Sequence, residues 1–162
     1  MRIAANRLLV IAAVMAGYQS VASEEKRQPI VVRPEELKWQ QPFGPSGMSL
    51  AFVIGRLGDQ NPASYFIRLP AGFKTGWHIH SNDYEAVVLK GTFTAEEQGQ
   101  PERELPVGSF VAQPGRQNHR NGCAGGGEDC LIFIHYEHGA DARPMTPEGK
   151  PLPASQGAAR KQ

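Results

Sequence analysis

The sequence predicts a single all-β domain, a sandwich or barrel, and three observations carry that reading. From Met48 onward, short runs rich in Val, Ile, Phe and Leu alternate with Gly and Pro punctuation at intervals of roughly ten residues, the spacing of strands and turns in such folds. No stretch sustains helical periodicity long enough for a core helix, and none repeats at solenoid spacing. The chain has 162 residues, 40% of them hydrophobic and 20% charged, which suits one globular core and excludes the disordered and membrane classes.

The N-terminus reads as an export signal over residues 1–23. Arg2 and Arg7 form a positive start, and the apolar run Leu8–Gly17 is too short to span a bilayer. Ser20, Val21, Ala22 and Ser23 then supply small residues where a signal peptidase reads. The mature chain is therefore expected to be exported, periplasmic in a Gram-negative cell or secreted, and free of the membrane once the signal is cut. An N-terminal arm over 24–47 follows, with one helical turn opened by Pro34 across Pro34–Trp39.

The barrel is assigned to 48–145, with strands around Met48–Arg56, Ser64–Leu69, Thr75–His80, Tyr84–Lys90, Phe93–Glu96, Ser109–Ala112, Gln117–Cys123 and Cys130–Glu137. Turns fall at Leu57–Pro62, Pro70–Gly72, Leu105–Gly108 and Gln113–Gly115. The remainder, 146–162, is rich in Pro, Gly, Ala and Gln and is expected to be a flexible tail.

Two cysteines, Cys123 and Cys130, flank the glycine-rich segment Ala124–Asp129. In an oxidising compartment such a pair reads as a disulfide. If the two face each other across a hairpin, His119 lies opposite Ile134. Ile134 and Tyr136 then face inward with it, and His135 faces out. His138 lies beyond the strand and is expected in solvent, while Trp77 and Phe133 read as core or rim packing.

The chemistry concentrates in two segments. In Gly72–Gly91, His78 and His80 are separated by one residue, so on a strand both imidazoles share a face and can share an ion. In Gly108–His119, a Pro114-Gly115 turn precedes a strand with a third histidine, His119. These segments resemble the two cupin motifs: Gly, five residues, His-x-His, three or four residues, Glu and about six residues to Gly; then Gly, five residues, Pro and a His five positions on. Arg68–Phe73, Val87–Phe93 and Leu105–Phe110 also look like exported bacterial cupins, so the resemblance covers roughly residues 30 to 145.

That resemblance implies a single jelly-roll-like cupin β-barrel with a short N-terminal extension. Inside it, His78, His80 and His119 would hold one divalent ion: Fe, Zn, Mn or Ni. It implies no single reaction. One reading is a small-molecule metalloenzyme of dioxygenase, isomerase or lyase type; the alternative is a metal-dependent module that binds a small ligand without turnover. Either way the partner is a small molecule, with a homodimer through strand edges as a further possibility.

Two departures from the family pattern bear on the site. The position two after Pro114 is Arg116 where glycine is usual, with Gly115 beside it to supply backbone freedom. The fourth ligand position falls on Tyr84 counted from Gly91, or on Glu85 by residue type. Strand alternation lets only one of the two face inward unless a bulge intervenes. Tyr84 would act as weak ligand, hydrogen-bond donor or base; Glu85 would be a carboxylate ligand or proton carrier. Seventeen Lys and Arg against sixteen acids leave a formal charge of +1, which offers no field for nucleic acid or an anionic membrane.

Overall fold

Among the described residues, ten short strands and a single 3-10 turn follow from a sequence punctuated this way. The computed structural model describes residues 28–45 and 47–152. The signal segment 1–23 and the end of the tail, 153–162, lie outside the described residues. Residues 28–31 belong to a first unit and carry no regular structure; the second unit begins at Val32.

The expected helical turn is present but shorter, a 3-10 turn over Pro34–Glu36. Pro34 presets its backbone, and the Glu36 carboxylate accepts from the Arg33 backbone N–H at 2.8 Å. The strands are β1 (Ser49–Ile54), β2 (Ala63–Leu69), β3 (His78–Ile79), β4 (Tyr84–Lys90), β5 (Phe93–Glu97), β6 (Arg103–Leu105), β7 (Phe110–Gln113), β8 (His119–Cys123), β9 (Cys130–Tyr136) and β10 (Arg143–Pro144). One sheet has the order β1-β2-β9-β4-β7, the other β10-β3-β8-β5-β6. The two form the β-sandwich that the alternating pattern predicts, of the jelly-roll type that the resemblance implies.

The core is drawn from the inward positions of both sheets. In β9, Cys130, Ile132, Ile134 and Tyr136 are buried while Leu131, Phe133 and His135 are partly exposed, the period-two pattern of a strand with one dry face. Leu50, Leu69, Val88 and Ile132 are each almost wholly withdrawn from water. Each such side chain contributes roughly 1.5–3 kcal/mol through burial.

Cys123 and Cys130 are joined as a disulfide, but the hairpin pairing inferred from them is wrong. β8 pairs with β3 and β5, and β9 pairs with β2 and β4, so the bridge ties the end of one sheet to the start of the other. His119 accordingly faces His78 and Glu97 across its ladders, not Ile134. The orientations of Ile134, Tyr136 and His135 nevertheless agree with expectation, because they depend on alternation within β9 and not on its partner.

The first residues of the expected tail carry local structure. Residues 145–151 close a small hairpin through the Met145–Pro151 bridge. The Asn118 amide donates to the Thr146 carbonyl at 3.0 Å, tying that hairpin to the residue before His119.

Candidate metal centre

β3 is only two residues long, and it delivers its histidine because the flanking strands hold it. His78 pairs with His119 on β8 and with Pro144 on β10, and His80 follows immediately as the chain leaves the sheet. His78 is half-buried, His80 is 8% exposed and His119 is 1% exposed. One ring nitrogen from each lies within 4.8 Å of the others, and no carboxylate joins this group among the described residues. Ring centroids are separated by 4.4 Å for His78–His119, 5.0 Å for His78–His80 and 5.1 Å for His80–His119.

Each imidazole is oriented by a backbone carbonyl. His78 Nδ1 donates to Gly76 O at 2.8 Å, His119 Nδ1 to Gln117 O at 2.8 Å, and His80 Nδ1 to Asp141 O. With Nδ1 carrying the proton, Nε2 is left as a lone-pair donor on all three rings, the tautomer a metal ligand needs. The Nε2 atom of His119 is buried with no hydrogen-bond partner. A buried polar atom left unmatched costs about 1–3 kcal/mol, and a cation at the centre of the group would satisfy it.

Electrostatics keep the rings uncharged. Burial, reinforced by the neighbouring imidazoles, holds His78 well below its usual range. Burial and His119 bring His80 down to about 4, against the opposing pull of Asp141. Burial also lowers His119, although its bond to Gln117 and the charge of Glu97 work the other way. Three neutral nitrogen donors fit Zn²⁺ with one open position, or Fe²⁺, Mn²⁺ or Ni²⁺ with positions left for water or substrate.

The loops behind the ligands are cross-tied. Asp141 accepts from Ser81 N at 2.7 Å and from Ser81 Oγ at 2.6 Å. Burial pushes its carboxyl up, but the Ser81 bonds, Arg143 and His80 outweigh that and leave it below its ordinary range. The turn between β7 and β8 docks on the same segment, with Arg116 N donating to His80 O at 2.7 Å. Arg116 itself takes the left-handed conformation, φ 62°, so Gly115 is not the residue that supplies the backbone freedom. Gly115 serves close approach instead: a Cβ there would sit 2.9 Å from Ser81 O and from the Asn82 carbonyl carbon.

Alternation divides Tyr84 from Glu85. Tyr84 is 5% exposed and its ring lies 5.1 Å from His80 and 6.2 Å from His119. Glu85 is exposed on the outer face, between Ala112 and His135 in the ladder. No bulge falls between the two residues, so Glu85 does not reach the histidines and is withdrawn as a ligand. His135 also stays outside, its Nδ1 2.9 Å from Ser64 Oγ, and His138 is exposed.

A cavity of about 410 Å³ opens onto His78 and His80, with Tyr65, Tyr84 and Tyr136 in its wall. Trp77 lines the same space and carries the Arg120 guanidinium 5.1 Å from its ring centre. Tyr65 and Asp141 escaped the sequence reading. Alternation along Ala63–Leu69 does place Tyr65 on the inner face with Ile67 and Leu69, so that signal was available. Asp141 acts from an irregular loop, through its carbonyl on His80 and its carboxylate on Ser81, and nothing local marks it.

A family model described as a domain of unknown function, DUF4437, matches residues 20–147. The chain belongs to the DUF4437 family. No curated protein matches it significantly. Among solved structures, the DUF4437 chain is similar to an RmlC-like cupin from Ralstonia eutropha JMP134, at 14% identity over 76% of each chain and TM-score 0.60. It is similar to the polyketide cyclase RemF from Streptomyces resistomycificus, at 18% identity over 67% of this chain and 78% of that one, TM-score 0.57. It is similar also to the DMSP lyase DddQ from Ruegeria pomeroyi DSS-3, at 20% identity and TM-score 0.53, covering 62% of this chain but only 56% of the lyase. At these identities the likeness establishes the cupin fold for this DUF4437 protein.

Proposed function

We propose that this DUF4437 protein is an exported small-molecule metalloenzyme, with His78, His80 and His119 as its metal ligands and Tyr84 as its proton-handling group. The observation that carries the reading is the shared tautomer. Three Nδ1–H groups are spent on backbone carbonyls, and three Nε2 lone pairs are left to converge. The ion, when bound, supplies Lewis acidity toward a substrate oxygen. The rest falls to the chain: the histidines would hold the ion where a substrate oxygen in the adjoining cavity reaches it. Burial, with the charges of Tyr65 and Glu97 adding to it, raises the Tyr84 phenol above its ordinary range. In the metal-free chain it is therefore a proton or hydrogen-bond donor at neutral pH.

The open cavity beside the ligands favours turnover over passive binding, since substrate has room at the unfilled coordination positions. The lyase and the cyclase that share the fold make lyase and isomerase chemistry the first to assay, with oxygen uptake reporting the dioxygenase alternative. The cystine between Cys123 and Cys130 supports an oxidising compartment.

Elemental analysis of protein taken from the export compartment tests the metal site. About one divalent ion per chain is expected, sharply reduced in His78→Ala, His80→Ala or His119→Ala and unchanged in His135→Ala. Equal metal content in wild type and His119→Ala would sink the three-histidine site.

A further inference from the structure

We propose that the cavity beside the three histidines takes a substrate with one oxygen-bearing head at the histidine end and an uncharged, aromatic or otherwise apolar body filling the remainder. This rests on the three-histidine reading for the direction in which the head points, but not for the character of the body.

The lining decides it. Among the described residues, the wall of this cavity of about 410 Å³ contains no Asp, Glu, Lys or Arg. Its volume lies toward the lower end of the roughly 300–1,000 Å³ of small-molecule sites, so the body is one or two rings in size. Leu50, Leu57, Ile67, Leu69, Phe93 and Ile134 line it. Of the polar side chains of the wall, Thr75 and Asn121 are uncharged, and Thr75 Oγ1 already accepts from Asn121 N at 2.9 Å. Tyr84 and Tyr136 cluster on His80, with ring centroids 5.1 and 5.7 Å away, and Tyr65 stands beside Tyr136. These rings lie close together, 5.3 Å for Tyr84–Tyr136 and 6.2 Å for Tyr65–Tyr136, and they offer hydroxyls without charge.

Charges close to the cavity are already matched: Glu97, whose charge reaches Tyr84 and His119, is paired with Arg103 at 2.8 Å. Arg120 lies over Trp77 and bonds Glu96 at 2.6 Å, while the Asp141 carboxylate is spent on Ser81 and Arg143. A carboxylate or ammonium on the body of a ligand would lose its water shell against aliphatic walls with no opposite charge to meet, and an unpaired buried charge is strongly disfavoured. Charge is tolerable only at the histidine end. The distribution of polar groups therefore sets both an orientation and a chemical class.

β-Naphthol carries such a head and body, and calorimetric titration of the full exported protein with it tests the proposal, metal content being measured on the same sample. The comparison compounds are β-naphthol bearing a sulfonate or an aminomethyl group on the far ring, so that the head is constant. We expect β-naphthol to bind and both charged compounds to bind at least about tenfold more weakly, the result of desolvating an unpaired charge. Ile67 is half-buried in the wall, and Ile67→Glu should weaken β-naphthol at least about tenfold while narrowing the gap to the aminomethyl compound. Ile67→Met, which keeps an apolar side chain of similar size, should leave all three affinities near wild type. Charged compounds that bind as tightly as β-naphthol, or no β-naphthol binding to protein with its full metal complement, would overturn the proposal. Selective β-naphthol binding by protein without metal would support the proposed body class and count against the metal site, so the two readings fail separately.

Discussion

The ring of Tyr84 stands edge-on to that of His80, with centroids 5.1 Å apart and planes at 87°. Its chain neighbour Glu85 points to the opposite face of β4 and is exposed. The pair turns a question about ligands into one about two substitutions. Tyr84→Phe should leave metal content unchanged, because the histidines hold the ion, while lowering whatever turnover the wild-type site supports by about 10²-fold or more. Glu85→Gln should change stability by less than about 0.5 kcal/mol and leave metal content alone. Metal lost from Glu85→Gln, measured by mass spectrometry, would mean the strand shifts by one residue when the ion binds.

Acid should unfold the metal-free protein through its histidines. His80 has its folded value brought down to about 4 from the ordinary 6.5, so the unfolded chain takes up a proton that the folded chain refuses. The stability from keeping the ring neutral is complete above about pH 6.5 and is lost as pH falls toward about 4. For His80 alone the loss is on the order of 3 kcal/mol, since each unit is worth about 1.4 kcal/mol. His78 and His119 shift in the same direction and steepen the fall. Urea denaturation midpoints across this window should drop in wild type and drop less in His80→Gln. A flat profile would show that the rings are solvated.

The strands were legible where a local rule governs them. Alternation made Tyr84 and Glu85 exclusive and the count from Gly91 pointed to Tyr84, while the runs of β-formers gave β2, β4, β5 and β9 nearly to the residue. They missed β6 and β10, and the reason is physical. Arg103–Leu105 and Arg143–Pro144 are short, largely exposed edge strands, with no apolar face to leave a period in the sequence. Thr75–His80 shrank to His78–Ile79 because the ladder is interrupted by a bend at Trp77: Lys74 and Thr75 still reach β8, at Gly122 and Asn121, but as an isolated bridge. Pairing between distant strands was not legible at all. The hairpin drawn through Cys123 and Cys130 assumed that strands adjacent in the chain are adjacent in space, and in this topology they lie in different sheets.

The disulfide should matter to stability and not to metal. Both cysteines are essentially inaccessible, and the bridge closes a loop of separation 7 between the two sheets. Its removal in the Cys123→Ala, Cys130→Ala double variant should cost about 2–3 kcal/mol by the loop-closure argument. Metal content should persist, because Cys123 is at the opposite end of β8 from His119, roughly 13 Å away at ~3.3 Å per residue. Unchanged stability with loss of metal would reverse the assignment.

Gly115 and Arg116 should respond in opposite directions. Gly115→Ala drives a Cβ to within 2.9 Å of Ser81 O and the Asn82 backbone, and two main chains must part. A loss of about 1–3 kcal/mol is expected, with weaker metal retention because His80 adjoins that turn. Arg116→Gly relieves a left-handed φ of 62°. The roughly 1–2 kcal/mol relieved exceeds the roughly 0.5–1 kcal/mol of added chain entropy, so a small net stabilisation is expected. Paired thermal melts read both signs, and a destabilised Arg116→Gly would show that the arginine side chain holds the turn.

His80 is oriented by the carbonyl of Asp141, a residue 61 positions further along the chain. A contact of that span forms only after a long loop has closed, and folds dominated by such contacts assemble slowly, on the millisecond-to-second scale. The chain must therefore be synthesised and folded well past β9 before the second of its ligands is aimed. If the three histidines hold an ion as proposed, its capture would be a late event in the life of the molecule, set by the ions present where folding finishes.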